Sequence, residues 1–218
     1  MLKQKATDQL LAQKLLPLFY NNSSETSMAI LKTFYNAGIR MVEYTNRGPN
    51  ALENFGLMKK LVEKDMPEML LGIGTIKNKE QAKQFIEQGA DFIVSPIIDP
   101  EVAAITYMHN LLWIPGCLTP TEIDAAENAG ARIVKIFPGN ILGPSYIHSI
   151  LELFPNLMFM PTGGVEADEN NLRAWFDAGV VAVGMGSKLL RSEAVENKDY
   201  ESIRQLTLHA LEIIKKVS

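Results

Sequence analysis

Cysteine is almost absent from this chain: Cys117 stands alone among 218 residues, so no disulfide can form within it. A lone thiol fits a reducing compartment, and with no histidine near it Cys117 reads as a small apolar filler. Histidine is nearly as scarce. His109, His148 and His209 all fall in stretches that read as helix, none spaced as a ligand pair, so neither a metal nor a cofactor site is expected. Runs of five like charges are missing and the net charge is −4, which argues against nucleic acid or an anionic membrane surface as partner. No apolar run approaches the ~20 residues of a membrane-spanning helix. Residues 1–14 carry Lys3, Lys5 and Lys14 and lack the apolar core of a signal peptide. A cytoplasmic location is the expectation. Gly/Ser/Pro-rich linkers are missing too, so one domain over 1–218, with 1–14 as a polar helical extension, is the simplest organisation.

What the sequence does have is alternation. Hydrophobic residues make up 47% of it, gathered into short apolar runs at 15–20, 41–45, 70–75, 92–96, 112–116, 133–138, 159–163 and 180–184. Between and after these lie amphipathic stretches near 25–37, 50–64, 78–88, 100–109, 120–128, 144–154, 168–177 and 199–216. Capping residues open several of them: Asn78, Asp99 before Pro100, and Thr119 or Thr121 before Glu122. Gly38, Gly89, Gly130 and Gly179 close others. Eight strands alternating with eight helices predict a parallel sheet, and the count predicts a closed (β/α)8 barrel of the α/β class. An open dinucleotide-binding sheet would carry a glycine-rich turn after its first strand, where this chain has Asn21-Asn22-Ser23-Ser24. In such barrels chemistry lies at the carboxyl ends of the strands.

Lys135 is the residue with least structural reason for its place, inside the apolar run Ile133-Val134-Lys135-Ile136-Phe137-Pro138. Burial disfavours an ammonium and lowers its pKa, and a neutral amine is a nucleophile that condenses with ketones. A lysine that snorkels from the strand end, or merely pairs with a carboxylate, is the plainer alternative. Glu43 supplies such a carboxylate. In Met41-Val42-Glu43-Tyr44-Thr45 side chains alternate, so Glu43 and Thr45 share a face; if that face and the Lys135 face both point inward, the two meet across the barrel. A carboxylate so placed shuttles protons, or else completes a buried ion pair. Arg47 continues beyond the strand and suits a bidentate grip on a carboxylate; Thr75 offers a hydroxyl at the mouth. Gly163 and Gly164 after one strand, and Gly186 and Ser187 after the next, suit phosphate held by backbone N–H groups.

Taken together in order, Glu43-Tyr44-Thr45-Asn46-Arg47, Gly72-Ile73-Gly74-Thr75, Ser95-Pro96, Ile114-Pro115-Gly116, Val134-Lys135-Ile136-Phe137-Pro138, Pro161-Thr162-Gly163-Gly164 and Gly186-Ser187 resemble the KHG/KDPG aldolase family of class I, Schiff-base aldolases. The resemblance implies that Lys135 forms the imine and Glu43 is general acid/base. It implies that Arg47 and Thr75 hold the carboxylate of a 2-keto acid, and that Pro96, Phe137 and Thr162 line the pocket. Gly163, Gly164, Gly186 and Ser187 would bind a distal phosphate. The implied reaction splits 2-keto-3-deoxy-6-phosphogluconate, or 4-hydroxy-2-oxoglutarate, without metal or cofactor, in a homotrimer. Departures from the family pattern are Ile97 and Gly139, and Tyr20-Asn21 where the related phosphogalactonate aldolases place an arginine. Two other readings use the same residues: a sugar-phosphate isomerase or epimerase with Glu43 as base, and a sugar-acid phosphate binding protein without turnover.

Overall fold

The structure, a computed structural model, describes residues 2–218; the first residue of the expected 1–14 extension lies outside that range. The chain alternates as its periodicity predicts. Helix α1 (Leu2–Gln13) precedes strand β1 (Leu15–Phe19), α2 (Ser24–Asn36), β2 (Met41–Thr45) and α3 (Ala51–Asp65). Next come β3 (Leu70–Gly74), α4 (Lys79–Glu87), β4 (Phe92–Val94), α5 (Pro100–Met108), β5 (Leu112–Ile114), β6 (Gly116–Cys117) and α6 (Pro120–Asn128). The chain ends with β7 (Ile133–Ile136), α7 (Gly139–Ile150), β8 (Met158–Pro161), α8 (Glu169–Asp177), β9 (Val183–Met185), α9 (Ser192–Glu196) and α10 (Tyr200–Val217). The predicted caps form: Asn78 and Asp99 accept backbone N–H groups, and Thr119 and Glu122 complete a capping box.

All the strand pairs are parallel, but the ladder is drawn in two pieces. Six strands run in the order β5-β4-β3-β2-β1-β9, and three in the order β6-β7-β8. The break in the predicted 112–116 strand falls at Pro115, which has no N–H to give. Its carbonyl still accepts from Lys135 N at 2.8 Å, while Ile114 O accepts from Ser95 N at 3.0 Å, so the segment turns from one sheet to the other. At the opposite margin Val181 N donates to Phe159 O at 3.1 Å, and Thr162 bridges to Gly184. The sheet is therefore a curled parallel one with helices on its outside.

Strict side-chain alternation sorts the apolar residues into two shells. Val42, Tyr44, Leu71, Ile73, Ile93, Trp113, Val134, Ile136 and Phe159 face the helices. Leu16, Met41, Leu70, Phe92, Leu112, Ile133 and Met160 fill the concave side. The N-terminal segment is more than the polar extension its sequence suggests. Ala6 and Leu10 of α1 are buried in that inner cluster, so α1 stoppers the amino end of the strands. Gln13 fastens it there: its Oε1 accepts from Arg40 N at 2.6 Å and Met41 N at 3.0 Å, and its Nε2 donates to Met41 O at 2.9 Å. With one end stoppered, the carboxyl ends are left for chemistry.

Candidate active site

Glu43 and Lys135 belong to the inner shell by register. Glu43 sits level with Leu18 of β1 and Gly72 of β3, and Lys135 level with Gly116 and Met160. Their side chains meet as the alternation predicts, Lys135 Nζ lying 3.8 Å from Glu43 Oε1, with side-chain exposures of 4% and 1%. Gly74 makes room for them, since a methyl group there would overlap the Glu43 carboxylate. Neither Glu43 oxygen has a hydrogen-bond partner, nor does the buried Thr162 hydroxyl. Buried polar atoms left without partners are uncommon and call for an explanation such as a catalytic role.

Burial dominates the electrostatics of the pair. Removal of water pushes the Lys135 ammonium below its usual range; the Glu43 carboxylate opposes that shift and the Arg47 guanidinium adds to it. The same burial raises Glu43, against the pull of Lys135 and Arg47. Both directions favour an uncharged amine beside a protonated carboxyl. Arg47 is exposed just beyond β2, close enough for its charge to be felt by both.

At the carboxyl ends of the strands lies a cavity of about 510 Å³ whose wall includes neither Lys135 nor Glu43 but carries six of the sequence-predicted residues: Arg47, Phe137, Thr162, Gly163, Gly186 and Ser187. Lys135 adjoins that wall through Phe137, its Nζ 5.1 Å from the centroid of the ring. Thr75, Pro96 and Gly164 are not on this wall. Thr75 follows β3 with φ of 63°, a left-handed conformation that is costly for a β-branched residue and tends to persist at functional sites. Pro96 follows β4 half-buried, its carbonyl packed on Gly116 where a side chain would collide. Gly164 is exposed, with its carbonyl accepting from Asn171 Nδ2 at 3.1 Å. The loops after β8 and β9 are joined by an ion pair, Lys188 to Glu166 at 2.7 Å, so Lys188 is engaged within the protein.

Of the nine further wall residues four are polar: Tyr20 and Asn21, to which sequence reasoning gave no role beyond a departure from the family pattern, and Ser192 and Glu196, which it missed. The first two follow β1 directly, and the rule that strand ends carry function would have found them. Ser192 and Glu196 belong to α9, a single short turn of helix that leaves no periodic signal.

An amine and a carboxyl group kept from water at the carboxyl ends of parallel strands, beside an open cavity, are the equipment of an enzyme that works on carbonyl compounds. The chain belongs to the KDPG and KHG aldolase family, whose family model matches residues 7–206. Aldolases are carbon–carbon lyases, and this chain is one of them. It is 30% identical over 202 residues to the 2-dehydro-3-deoxy-phosphogluconate aldolase of Treponema pallidum, spanning 92% of this chain and 93% of that one. It is also 30% identical over 179 residues to the 2-dehydro-3-deoxy-6-phosphogalactonate aldolase of Escherichia coli K12, spanning 82% and 85%. Among solved structures, the KDPG aldolase of Legionella pneumophila, with pyruvate captured as a covalent carbinolamine, superposes with a TM-score of 0.85 at 25% identity, over 94% of this chain and 97% of that one. The isomerase and binding-protein readings of the sequence are not favoured by these relatives.

Proposed function

We propose that this protein is a class I aldolase that splits 2-keto-3-deoxy-6-phosphogluconate into pyruvate and glyceraldehyde 3-phosphate, 4-hydroxy-2-oxoglutarate into pyruvate and glyoxylate, or both. The observation that carries this reading is the 3.8 Å approach of Lys135 Nζ to Glu43 in an interior that disfavours both charges. Lys135, uncharged, adds to the C2 carbonyl. Glu43, protonated, gives its proton to the departing hydroxyl as the imine forms. As carboxylate it then takes the C4 hydroxyl proton while the C3–C4 bond breaks and the iminium accepts the electron pair. Glu43 returns that proton to C3 of the enamine, and water releases pyruvate from Lys135. Arg47 and Thr75 hold the substrate carboxylate; the outward cation and the strained loop support this. Phe137 and Thr162 line the pocket, and Pro96, off the cavity wall at the end of β4, completes it from behind Gly116. Gly163, Gly186 and Ser187 on the cavity wall, with the backbone of the adjoining Gly164, receive the distal phosphate; the surface ion pair Lys188–Glu166 spans their two loops.

The scaffold for this chemistry is one domain in which the two sheets close into a single barrel. The hydrogen bonds flanking Pro115 and the Thr162–Gly184 bridge support closure, and the buried face of α1 makes that helix part of the domain. The protein works as a cytoplasmic homotrimer on a small 2-keto acid, without metal. Among the described residues no helix is long and apolar enough to cross a membrane. Borohydride added with pyruvate tests the mechanism: it should inactivate the protein and leave the reduced adduct's mass on the peptide that contains Lys135. A folded, active sample that gains no mass there would reject imine chemistry.

A further inference from the structure

The loop after β1 is held with more hydrogen bonds than a connection needs. The carbonyl of Asn21 accepts from Tyr44 Oη at 2.8 Å, from Asn54 Nδ2 at 3.1 Å and from Ser27 Oγ at 3.2 Å. Asn54 Nδ2 also has Asn22 O and Tyr44 Oη within 3.2 Å, its two hydrogens shared among the three acceptors. Tyr44, Asn54 and Ser27 are all buried, in β2, α3 and α2. The same tyrosine backs the loop with its ring, whose centroid is 5.7 Å from that of Tyr20. On its other side Tyr20 lies across Gly48, where any side chain would collide with it. Tyr20 is thus wedged beside Arg47 by residues that do not themselves line the cavity.

The strand order gives the wedge a meaning. β1 lies between β2 and β9, so its carboxyl end stands between Arg47, which follows β2, and Gly186 and Ser187, which follow β9. A substrate stretched from Arg47 to Ser187 passes Tyr20 and Asn21 on the way. We infer that Asn54 and Tyr44 are positioning residues that hold Tyr20 and Asn21 against the substrate beyond its pyruvate unit, making that wall a determinant of the aldehyde half accepted. This rests on the aldolase reading above.

The test separates the two halves of the substrate. Wild type, Asn54→Leu and Tyr44→Phe are compared for borohydride-trapped pyruvate adduct at Lys135, and for KM and kcat on the six-carbon phosphorylated and five-carbon unphosphorylated 2-keto acids. Expected is adduct formation within about twofold of wild type, with KM for the six-carbon substrate raised about tenfold and the preference between the substrates shifted. Tyr20→Ala, which alters the wall directly, should move the same KM. Unchanged KM values, or adduct formation falling in step with cleavage, would overturn the inference by leaving these residues a purely structural role. Should Asn54→Leu fail to fold, Tyr44→Phe, which loses only a hydroxyl, and Tyr20→Ala decide alone. Absence of adduct from the wild-type protein would instead sink the aldolase reading.

Discussion

Lys135 is held below the usual lysine range chiefly by loss of water, and this shift has a sign in the stability of the protein. Where the folded pKa is lowered, the unfolded chain binds more protons between that pKa and the ordinary value of 10.5, so the penalty for burying the amine fades as pH rises through that window. Glu43, raised by burial, works oppositely: its contribution falls as pH climbs from its ordinary 4.5 towards the raised value. Lys135→Met should therefore stabilise the protein most near neutral pH and progressively less as pH approaches 10.5, checked by urea midpoints across that range. Trapping of pyruvate should rise with pH and level off below 10.5, because the proposed nucleophile is the free amine of Lys135. Polar groups buried without hydrogen-bond partners are costly, so the double variant Lys135→Met, Glu43→Met should unfold about 1–3 kcal/mol harder while losing all cleavage. A methyl added by Gly74→Ala would displace the Glu43 carboxylate; a loss of about 1–3 kcal/mol and a marked fall in kcat are expected, read by denaturation and by pyruvate release. The meeting of Glu43 with Lys135 was legible because strand alternation has a fixed period and both residues interrupt apolar runs. The left-handed backbone of Thr75 was not, since nothing in a threonine announces it.

Among the elements, helices with a polar cap and an apolar stripe could be read to within a residue or two: 25–37 for α2, 100–109 for α5 and 168–177 for α8. The stretch 144–154 was legible from Pro144, where a helical segment begins beyond the non-helical Gly143 (φ of 72°) and runs to Ile150, followed by a 3-10 turn over Leu151–Leu153; the short helical turn from Gly139 to Leu142 before that kink went unread. The role of α1 escaped notice because only Ala6 and Leu10, four residues apart, reach the interior. Leu10 is nevertheless fully buried, and Leu10→Ala should cost about 2–5 kcal/mol in a urea titration. A cost below 1 kcal/mol, an order-of-magnitude bound for surface positions, would mean that the amino end of the strands does not depend on this helix.

At the scale of the whole molecule, the count of eight strands pointed to a closed ring but closure itself rests on hydrogen bonds between distant strands, and subunit number leaves no periodic trace in a sequence. Light scattering is expected to return three times the chain mass; a monomer of full activity would refute the trimer. A consequence follows from the way the ladder divides. Glu43 stands in the six-stranded sheet and Lys135 in the three-stranded one, so on the proposed mechanism no partly folded species that has formed only one of them turns over substrate. Catalysis is thus a gauge of how the two curved halves lie against each other, and a slip between them of an ångström or two would silence the enzyme while leaving its helices, and its circular dichroism, intact.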